Sequence, residues 1–368
     1  MGIAAVTHDR DWLEVRFDDG VTRRFLGTWL RDNITSGRHR DDGQRTFDIN
    51  ALPEVSIAGA TSDADSATVT FAPEGIDGTY YEQWFRQHGS TNGTSAGVTP
   101  SPTLWGAEHQ GSLRFADYPT LVEDPAALLE WLVEIRDLGF GLLENVPVTP
   151  GSIVGAVDLF GYVRFTNYGE IFEVRDEPNP ANLAFTKLRI GMHTDNPYRD
   201  PVPGLQLLQC LVNESDGGDN QLVDGFAIAD QIRNDHPEAF NLLTSHPVRF
   251  RYLDGDSADL QSFMPVIQLD AQGRVVCIRY NSRSVQAFEM PEDVIADYYR
   301  AYRTLGELLH EPGACVEFRL EPGQLMAFDN QRVLHGRTAY TTGARHLQGC
   351  YADKDSLHSR IRVLESAR

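Results

Sequence analysis

The chain has few cysteines, no long apolar run and no excess of basic residues, and each absence excludes a class of protein. Its four cysteines, Cys210, Cys277, Cys315 and Cys350, show no Cys-x-x-Cys spacing, which argues against a disulfide framework. Each lies in or beside an apolar, strand-like run, so we expect buried free thiols, in keeping with a reducing cytoplasm. No run reaches membrane-spanning length, and the first twelve residues lack the features of a signal peptide. The sequence therefore predicts a soluble protein located in the cytoplasm.

The acidic balance of the chain limits its partners. A net charge of -21 argues against electrostatic binding to nucleic acid or to an anionic membrane surface. A local cluster of Arg and Asn would have to bind an anionic ligand against the repulsion from the net negative charge of the chain. Neither a Gly-rich phosphate loop nor an internal repeat is present, and 368 residues suffice for two domains or for one with an extension. We expect a small-molecule ligand, and the sequence leaves a homodimer open.

Residues 1–86 have the pattern of a small β-rich domain. Trp12–Phe17, Val21–Phe25 and Ala67–Phe71 alternate apolar and polar residues, and an Asp-Asp-Gly turn joins the first two as a hairpin. Residues 87–111 are rich in Gly, Ser, Thr and Pro, as expected of a linker or of a long loop that covers an active site.

Residues 112–368 combine short β-rich runs with a few amphipathic helices. A strand is predicted for residues 141–146, and helices are predicted for residues 124–138, 152–160, 227–234 and 291–309. Many short strands with helices between them favour a fold that is mainly β with flanking helices, namely a double-stranded β-helix, or jelly roll.

Two histidines and one carboxylate stand out as candidate metal ligands. His193 and Asp195 are two residues apart in a run that we predict to be a strand, where their side chains would share a face. Together with the distant His335 they match the facial triad of non-heme Fe(II) oxygenases, which leaves positions open for a 2-oxo acid and O2. Among 11 histidines a His-x-Asp pair also arises by chance. A cupin-like metal isomerase or a metal-dependent binding protein would use the same triad.

Arg345, ten residues after His335, favours the oxygenase interpretation. A guanidinium is shaped to bind a carboxylate through two hydrogen bonds, and a 2-oxo acid chelated to iron needs its far carboxylate held at a fixed distance. Arg337 is the competing candidate, but two residues from His335 it is too near the metal to reach that carboxylate.

The spacing of these four residues resembles that of the Fe(II)/2-oxoglutarate dioxygenases of the taurine dioxygenase superfamily. Short sequence motifs along nearly the whole chain are similar to those of the gamma-butyrobetaine hydroxylase family: Trp29–Asn33, Pro203–Leu208, Val223–Phe226, Phe328–Asn330, His335–Arg337 and Arg345–Gly349. The resemblance implies a hydroxylase that uses Fe(II), 2-oxoglutarate and O2. It also implies His193, Asp195 and His335 as iron ligands and Arg345 as the co-substrate arginine.

One part of the family pattern is missing. In gamma-butyrobetaine hydroxylases a cysteine cluster with a histidine follows the Trp-Leu-Arg-Asp-Asn word and binds structural zinc. Here Ile34–Arg40 follows that word, and no cysteine precedes Cys210. Because thiolates supply most ligands of such sites, we predict no zinc and interpret His39 as a surface residue.

The resemblance also implies an aromatic cage for a trimethylammonium group. A quaternary ammonium ion donates no hydrogen bond, so proteins hold it with aromatic faces. The matching words place Tyr168, Phe172, Phe185 and Tyr351 at the walls, although each of these taken singly would be an ordinary core residue.

The other end of the substrate site departs from the hydroxylase pattern. Asn281 matches an asparagine that holds the butyrobetaine carboxylate, but Asn196, Tyr198 and Arg283 bring further donors. A phosphonate would use all of them, and here the chain resembles the 2-(trimethylammonio)ethylphosphonate dioxygenases. The sequence thus predicts hydroxylation of this zwitterion to its 1-hydroxy product, with succinate and CO2. The alternative is conversion of gamma-butyrobetaine to L-carnitine, with Arg283 as a surface arginine and Asn196 as a turn residue.

Overall fold

The computed structural model describes residues 2–88, 101–175, 186–255 and 257–367. The chain forms two compact units, Met1–Pro100 and Ser101–Arg368. Much of the predicted linker at 87–111 lies outside the described residues, but Trp105 is buried, and its indole Nε1 donates to the carbonyl of Leu138 at 2.6 Å. Within the described ranges, no helix combines the length and the apolar character needed to cross a membrane.

The first unit contains two antiparallel three-stranded sheets, in the orders β1-β2-β3 and β4-β5-β6. Its elements are β1 (Ile3–His8), β2 (Trp12–Phe17), β3 (Thr22–Leu26), α1 (Gly27–Asp32), β4 (Ser56–Ser62), β5 (Ser66–Ala72), β6 (Ile76–Tyr81) and α2 (Glu82–His88). The predicted hairpin is present as β2 and β3, and Gly20 takes the positive φ of 84° that its turn requires. Leu13, Val15 and Phe17 alternate into the core of this unit. His39 is exposed and lies 3.2 Å from Asp42.

The second unit contains 14 strands and seven helices among its described residues. They are β7 (Phe115–Asp117), α3 (Tyr118–Glu123), α4 (Pro125–Leu138), β8 (Phe140–Glu144), α5 (Ile153–Asp158), β9 (Phe172–Arg175), β10 (Ile190–His193), β11 (Leu205–Asn213), β12 (Asn220–Asp224), α6 (Gly225–Asp235), α7 (Pro237–Ser245), β13 (Val248–Asp254), β14 (Ala258–Met264), β15 (Ile267–Leu269), β16 (Val275–Ile278), α8 (Glu292–Leu309), β17 (Cys315–Phe318), β18 (Leu325–Asp329), β19 (Val333–Arg337), β20 (Arg345–Ala352) and α9 (Lys354–Ser366).

Two sheets of this unit enclose its interior. A six-stranded sheet has the order β7-β8-β18-β11-β20-β9, and a four-stranded sheet has the order β10-β19-β12-β17. Leu208 and Phe328 of the larger sheet belong to the same buried cluster as Leu222 and Val333 of the smaller one. Neighbours in sequence alternate between inner and outer faces, as strand geometry requires. The predicted jelly roll with flanking helices is confirmed.

Helices cover the outer faces of both sheets. α4, α5 and α9 share a buried cluster with the outer face of the larger sheet, and α6, α7 and α8 do so with the smaller one. α4 begins after Asp124, whose carboxylate accepts from the backbone N–H of Ala126 at 2.8 Å, and ends at Gly139 with a φ of 85°. The predicted helices are present as α4, α5, α6 and α8, whereas α3, α7 and α9 of this unit were not predicted.

The four cysteines are free, as expected. Cys210, Cys277 and Cys350 are buried, and Cys315 is half-buried. Burial raises the pKa of Cys210 and Cys277 to about 11, so both thiols stay protonated at neutral pH.

Candidate active site

Two strands of the smaller sheet bring the distant histidines together. β10 and β19 are antiparallel, and His193 lies directly opposite His335 in their register. The two imidazole rings have centroids 4.1 Å apart. On β19, Leu334 packs in the outer cluster, so His335 faces the interior by strand alternation.

The prediction that Asp195 shares a strand with His193 is wrong. β10 ends at His193, and Asp195 lies in the bend that follows, because Asn196 takes a positive φ of 53° ahead of Pro197. The carboxylate still reaches the histidines, with Oδ1 at 3.3 Å from Nε2 of His193. One potential ligand atom from each of Asp195, His193 and His335 lies within 4.8 Å of the others.

The side chain of Asn330 holds this bend in place. Its Oδ1 accepts from the backbone N–H of Asp195 at 2.7 Å, and its Nδ2 donates to the backbone carbonyls of Asp195 at 3.0 Å and Pro203 at 3.2 Å. Asn330 is fully buried. These contacts replace the strand hydrogen bonds that the bend lacks. The Phe328–Asn330 word was noted in the sequence, but nothing there indicated this role.

The protonation states of Asp195 and His335 suit a divalent metal. Nδ1 of His193 donates to the carbonyl of Gly191 at 2.9 Å, which leaves Nε2 free as a ligand. Burial alone would raise the pKa of Asp195, but its contact with His193 and the nearby guanidinium of Arg283 lower it. Burial, followed by the proximity of His193, lowers the pKa of His335 to about 3. A carboxylate and neutral imidazoles are the forms that bind metal.

Tyr351 also contacts the candidate metal ligands. Its hydroxyl donates to Oδ2 of Asp195 at 2.9 Å, so the other oxygen, Oδ1, faces the histidines. Burial and the nearby Asp195 carboxylate raise the pKa of Tyr351, which keeps its hydroxyl protonated as a donor.

Arg345 is a buried cation in the same cavity. It is 5% exposed, and its Nη2 donates to Oδ1 of Asn220 at 3.2 Å. Its Nε is buried and has no hydrogen-bond partner among the described residues. Burial and the charge of Arg337 lower its pKa to about 10, and it remains charged at neutral pH. A buried guanidinium with an unused donor suits the carboxylate of a bound diacid.

Arg337 lines the cavity too, but its side chain is engaged elsewhere. Its Nη2 donates to the carbonyls of Thr186 and Leu188, both at 2.6 Å, and its guanidinium lies 5.0 Å from the ring centroid of Tyr340. This arrangement fixes the loop before β10.

One cavity of about 570 Å³ contains all of these groups. It is also lined by eleven of the twelve site residues predicted from the sequence: His193, Asp195, His335, Arg345, Tyr168, Phe172, Tyr351, Asn196, Tyr198, Asn281 and Arg283. The twelfth, Phe185, lies outside the described residues.

Aromatic rings form one wall of the cavity. Phe172 stacks on Tyr351 with ring centroids 5.1 Å apart, and Tyr168 lies 6.3 Å from Phe172. Tyr252 on β13 adds a ring 5.8 Å from Tyr168 and stacks on Tyr198 at 5.1 Å. Sequence reasoning missed Tyr252, which alternates within an ordinary strand and belongs to none of the family words.

The predicted anion-binding residues differ in how free their side chains are. Asn281 donates to the carbonyl of Thr194 at 3.2 Å and accepts from the backbone N–H of Arg283 at 3.1 Å. Asn196 accepts from the hydroxyl of Tyr198 at 2.6 Å, and its Nδ2 is buried without a partner among the described residues. Arg283 and Asp195 line the same cavity.

Comparisons with known proteins find relatives along nearly the whole chain. The sequence profile of the family described as "Taurine catabolism dioxygenase TauD, TfdA family" matches residues 97–351. A gamma-butyrobetaine dioxygenase of Pseudomonas sp. (strain AK-1) is 38% identical over 362 residues, which are 96% of this chain and 94% of that protein. A mitochondrial trimethyllysine dioxygenase of Bos taurus is 31% identical over 365 residues, or 96% of this chain and 86% of that one. Among solved structures, the non-heme iron oxygenase OrfP in complex with Fe and alpha-ketoglutaric acid has a TM-score of 0.48 at 16% identity, covering 71% of this chain and 96% of that chain.

Proposed function

The chain belongs to the TauD/TfdA family and is an Fe(II)/2-oxoglutarate-dependent dioxygenase, and on that premise we propose that it hydroxylates 2-(trimethylammonio)ethylphosphonate. The product is the 1-hydroxy compound, with succinate and CO2 released from the co-substrate. The more general statement, that the substrate carries a trimethylammonium group, is supported by relatives that are named gamma-butyrobetaine and trimethyllysine dioxygenases.

His193, Asp195 and His335 hold the iron in this proposal. Three protein ligands leave positions open for the co-substrate and O2. Arg345 takes the far carboxylate of 2-oxoglutarate, because its buried donor has no protein partner among the described residues. When bound, iron and 2-oxoglutarate supply the oxidising chemistry, and the protein contributes position and exclusion of water.

The aromatic wall binds the trimethylammonium group. Tyr168, Phe172 and Tyr351 line the cavity, and Tyr252 adds a fourth ring. Each well-placed face stabilises a cation by about 0.5–2 kcal/mol. A primary ammonium would lose its hydrogen bonds to water there without gaining acceptors in return. The wall therefore favours a trimethylammonium group over a primary ammonium group.

Asn196, Arg283 and Asn281 supply the donors that bind the phosphonate. The observation that carries this half is the buried Nδ2 of Asn196, which lacks a partner among the described residues and lines the same cavity as Arg283. A phosphonate offers three oxygens and close to two charges, so it can accept from both side chains and from the spare N–H of Asn281.

Hydroxylation of gamma-butyrobetaine is the second candidate, because a relative of that name is 38% identical over nearly the whole chain. Its carboxylate has two oxygens and one charge, and it needs fewer donors than this cavity offers.

The test compares three substrates by oxygen-dependent succinate release. We expect 2-(trimethylammonio)ethylphosphonate to have a kcat/KM well above that of gamma-butyrobetaine and far above that of 2-aminoethylphosphonate. Arg283→Ala should narrow the preference over gamma-butyrobetaine, mainly by weakening phosphonate turnover. Arg251→Ala is the matched control, since Arg251 also lines the cavity but is paired with Asp259 at 2.8 Å.

Each half of the proposal has its own refutation. Equal or better turnover of gamma-butyrobetaine by the wild type would reject the phosphonate and leave the trimethylammonium assignment standing. Preference for the primary amine would reject the aromatic cage.

A further inference from the structure

Asn196, Tyr198 and Tyr168 form one hydrogen-bonded unit beside the predicted anion site. The hydroxyl of Tyr198 lies 2.6 Å from Oδ1 of Asn196, and the hydroxyl of Tyr168 lies 3.0 Å from that of Tyr198. An amide oxygen only accepts, so the proton of Tyr198 goes to Asn196, and the oxygen of Tyr198 accepts from Tyr168. Both phenolic protons are therefore used inside the protein, and neither is left for a ligand.

We propose that Tyr198 is a positioning residue that acts on the substrate through Asn196. By binding Oδ1, Tyr198 turns the amide so that Nδ2, a donor, is presented to the cavity. That nitrogen is buried and has no partner in the described part of the chain, which is the arrangement expected of a donor awaiting an anionic ligand. The inference rests on the proposed function only in requiring an anionic group at this end of the substrate.

The local backbone and a neighbouring ring hold the unit in place. Asn196 has a φ of 53°, a left-handed conformation that asparagine tolerates and that directs its side chain out of the strand path. Tyr198 stacks on Tyr252 with ring centroids 5.1 Å apart and an interplanar angle of 21°. The backbone N–H of Arg251 donates to the carbonyl of Ser284 at 2.9 Å, so the strand that carries Tyr252 is tied to the segment after Arg283.

The opposite orientation of the amide is the real competitor. A half-turn would let Nδ2 donate to Tyr198 and let Tyr198 donate to Tyr168, since hydroxyls do both. It would then turn the oxygen of Asn196 toward the cavity, where it would repel an anion. In the structure Tyr198 donates to Oδ1 at 2.6 Å, which is the orientation that presents the donor, and an anion bound at Nδ2 would stabilise it further. Without the hydroxyl, neither orientation is held.

A double-mutant cycle tests this mechanism. Tyr198→Phe keeps the stacked ring and removes the hydroxyl, and Asn196→Gly removes the amide at a position where glycine accepts the positive φ. We expect Tyr198→Phe to raise the KM for the anionic substrate roughly tenfold, with kcat within about twofold. In the Asn196→Gly background, the same substitution should have no further effect on this KM.

Additive effects in the two backgrounds would overturn the proposal, because they would mean that Tyr198 contacts the ligand itself. An unchanged KM in Tyr198→Phe would overturn it as well. The cycle is run with whichever trimethylammonium anion the wild type turns over, so a wrong choice between phosphonate and carboxylate appears in the wild type and leaves the cycle interpretable.

A cationic probe without an anionic group gives a second readout. Choline carries the trimethylammonium group alone, and its inhibition constant should be the same in wild type and in Tyr198→Phe. An equally weakened choline complex would place the effect of Tyr198 in the aromatic wall and overturn the proposal. The Michaelis constant for the co-substrate and the melting temperature report whether each variant is folded, and Tyr198→Leu, which also loses the stacking, serves as the comparison for structural damage.

Discussion

Replacing Arg345 with alanine should weaken the binding of 2-oxoglutarate strongly but change the stability of the ligand-free protein little. The guanidinium is 5% exposed, and its one hydrogen bond to a described side chain is to Asn220 at 3.2 Å. Removing it costs that hydrogen bond, about 1 kcal/mol, but relieves the cost of burying a charge. We therefore expect the free energy of unfolding without ligands to change by no more than about 1 kcal/mol.

The loss should appear when 2-oxoglutarate is added. A charged bidentate contact that is truncated on one side costs about 2–4 kcal/mol. At about 1.4 kcal/mol per factor of ten, this corresponds to a roughly 30- to 700-fold rise in the apparent Michaelis constant for the co-substrate. Arg345→Lys keeps the charge but loses the planar guanidinium that can bind a carboxylate through two hydrogen bonds. Its Michaelis constant for 2-oxoglutarate should lie between those of the wild type and Arg345→Ala.

The assay has a kinetic and an equilibrium part. The Michaelis constant is measured from succinate release, and melting temperatures are measured without oxygen, with Fe(II) and with or without 2-oxoglutarate. At 100 times its Kd, a ligand stabilises the wild type by about 2.7 kcal/mol, and Arg345→Ala should lose most of that shift. An unchanged Michaelis constant, or a ligand-free protein destabilised by several kcal/mol, would refute the reasoning.

Two further predictions concern metals. His335→Ala should abolish Fe(II)-dependent succinate formation while circular dichroism shows a retained fold, and full activity in this variant would remove His335 from the ligand set. Metal analysis of the purified full-length chain should find no stoichiometric zinc, because the segment around His39 has no cysteine; one tightly held zinc per chain that His39→Ala releases would contradict the interpretation of the N-terminal segment.

The sequence predicted residue types well and their exact placement less well. The match to a facial triad pointed to His193 and His335, but only the pairing of β10 with β19 sets them opposite each other. Asp195 was wrongly placed in a strand, although the turn signal of Asn196 before Pro197 was visible. Its position depends on hydrogen bonds with Asn330, 135 residues further on, and no local pattern encodes such a contact.

The aromatic wall shows the same limit. Tyr168, Phe172 and Tyr351 were found through words shared with a family, not through periodicity. Tyr252 had no such word, and its place beside Tyr198 follows from the packing of a hairpin against the cavity. Patterns in a single sequence give little information about contacts between residues that are far apart in the chain.

Tyr351 links the binding of the organic cation to the binding of the metal. Its ring stacks on Phe172 in the aromatic wall, while its hydroxyl holds Oδ2 of Asp195. On the proposed assignment, one rigid side chain thus contacts the organic cation on one side and a metal ligand on the other. Any adjustment of the ring to the cation moves the hydroxyl that orients the carboxylate. Thermodynamic reciprocity then requires that substrate changes the affinity for iron by the same factor by which iron changes the affinity for substrate.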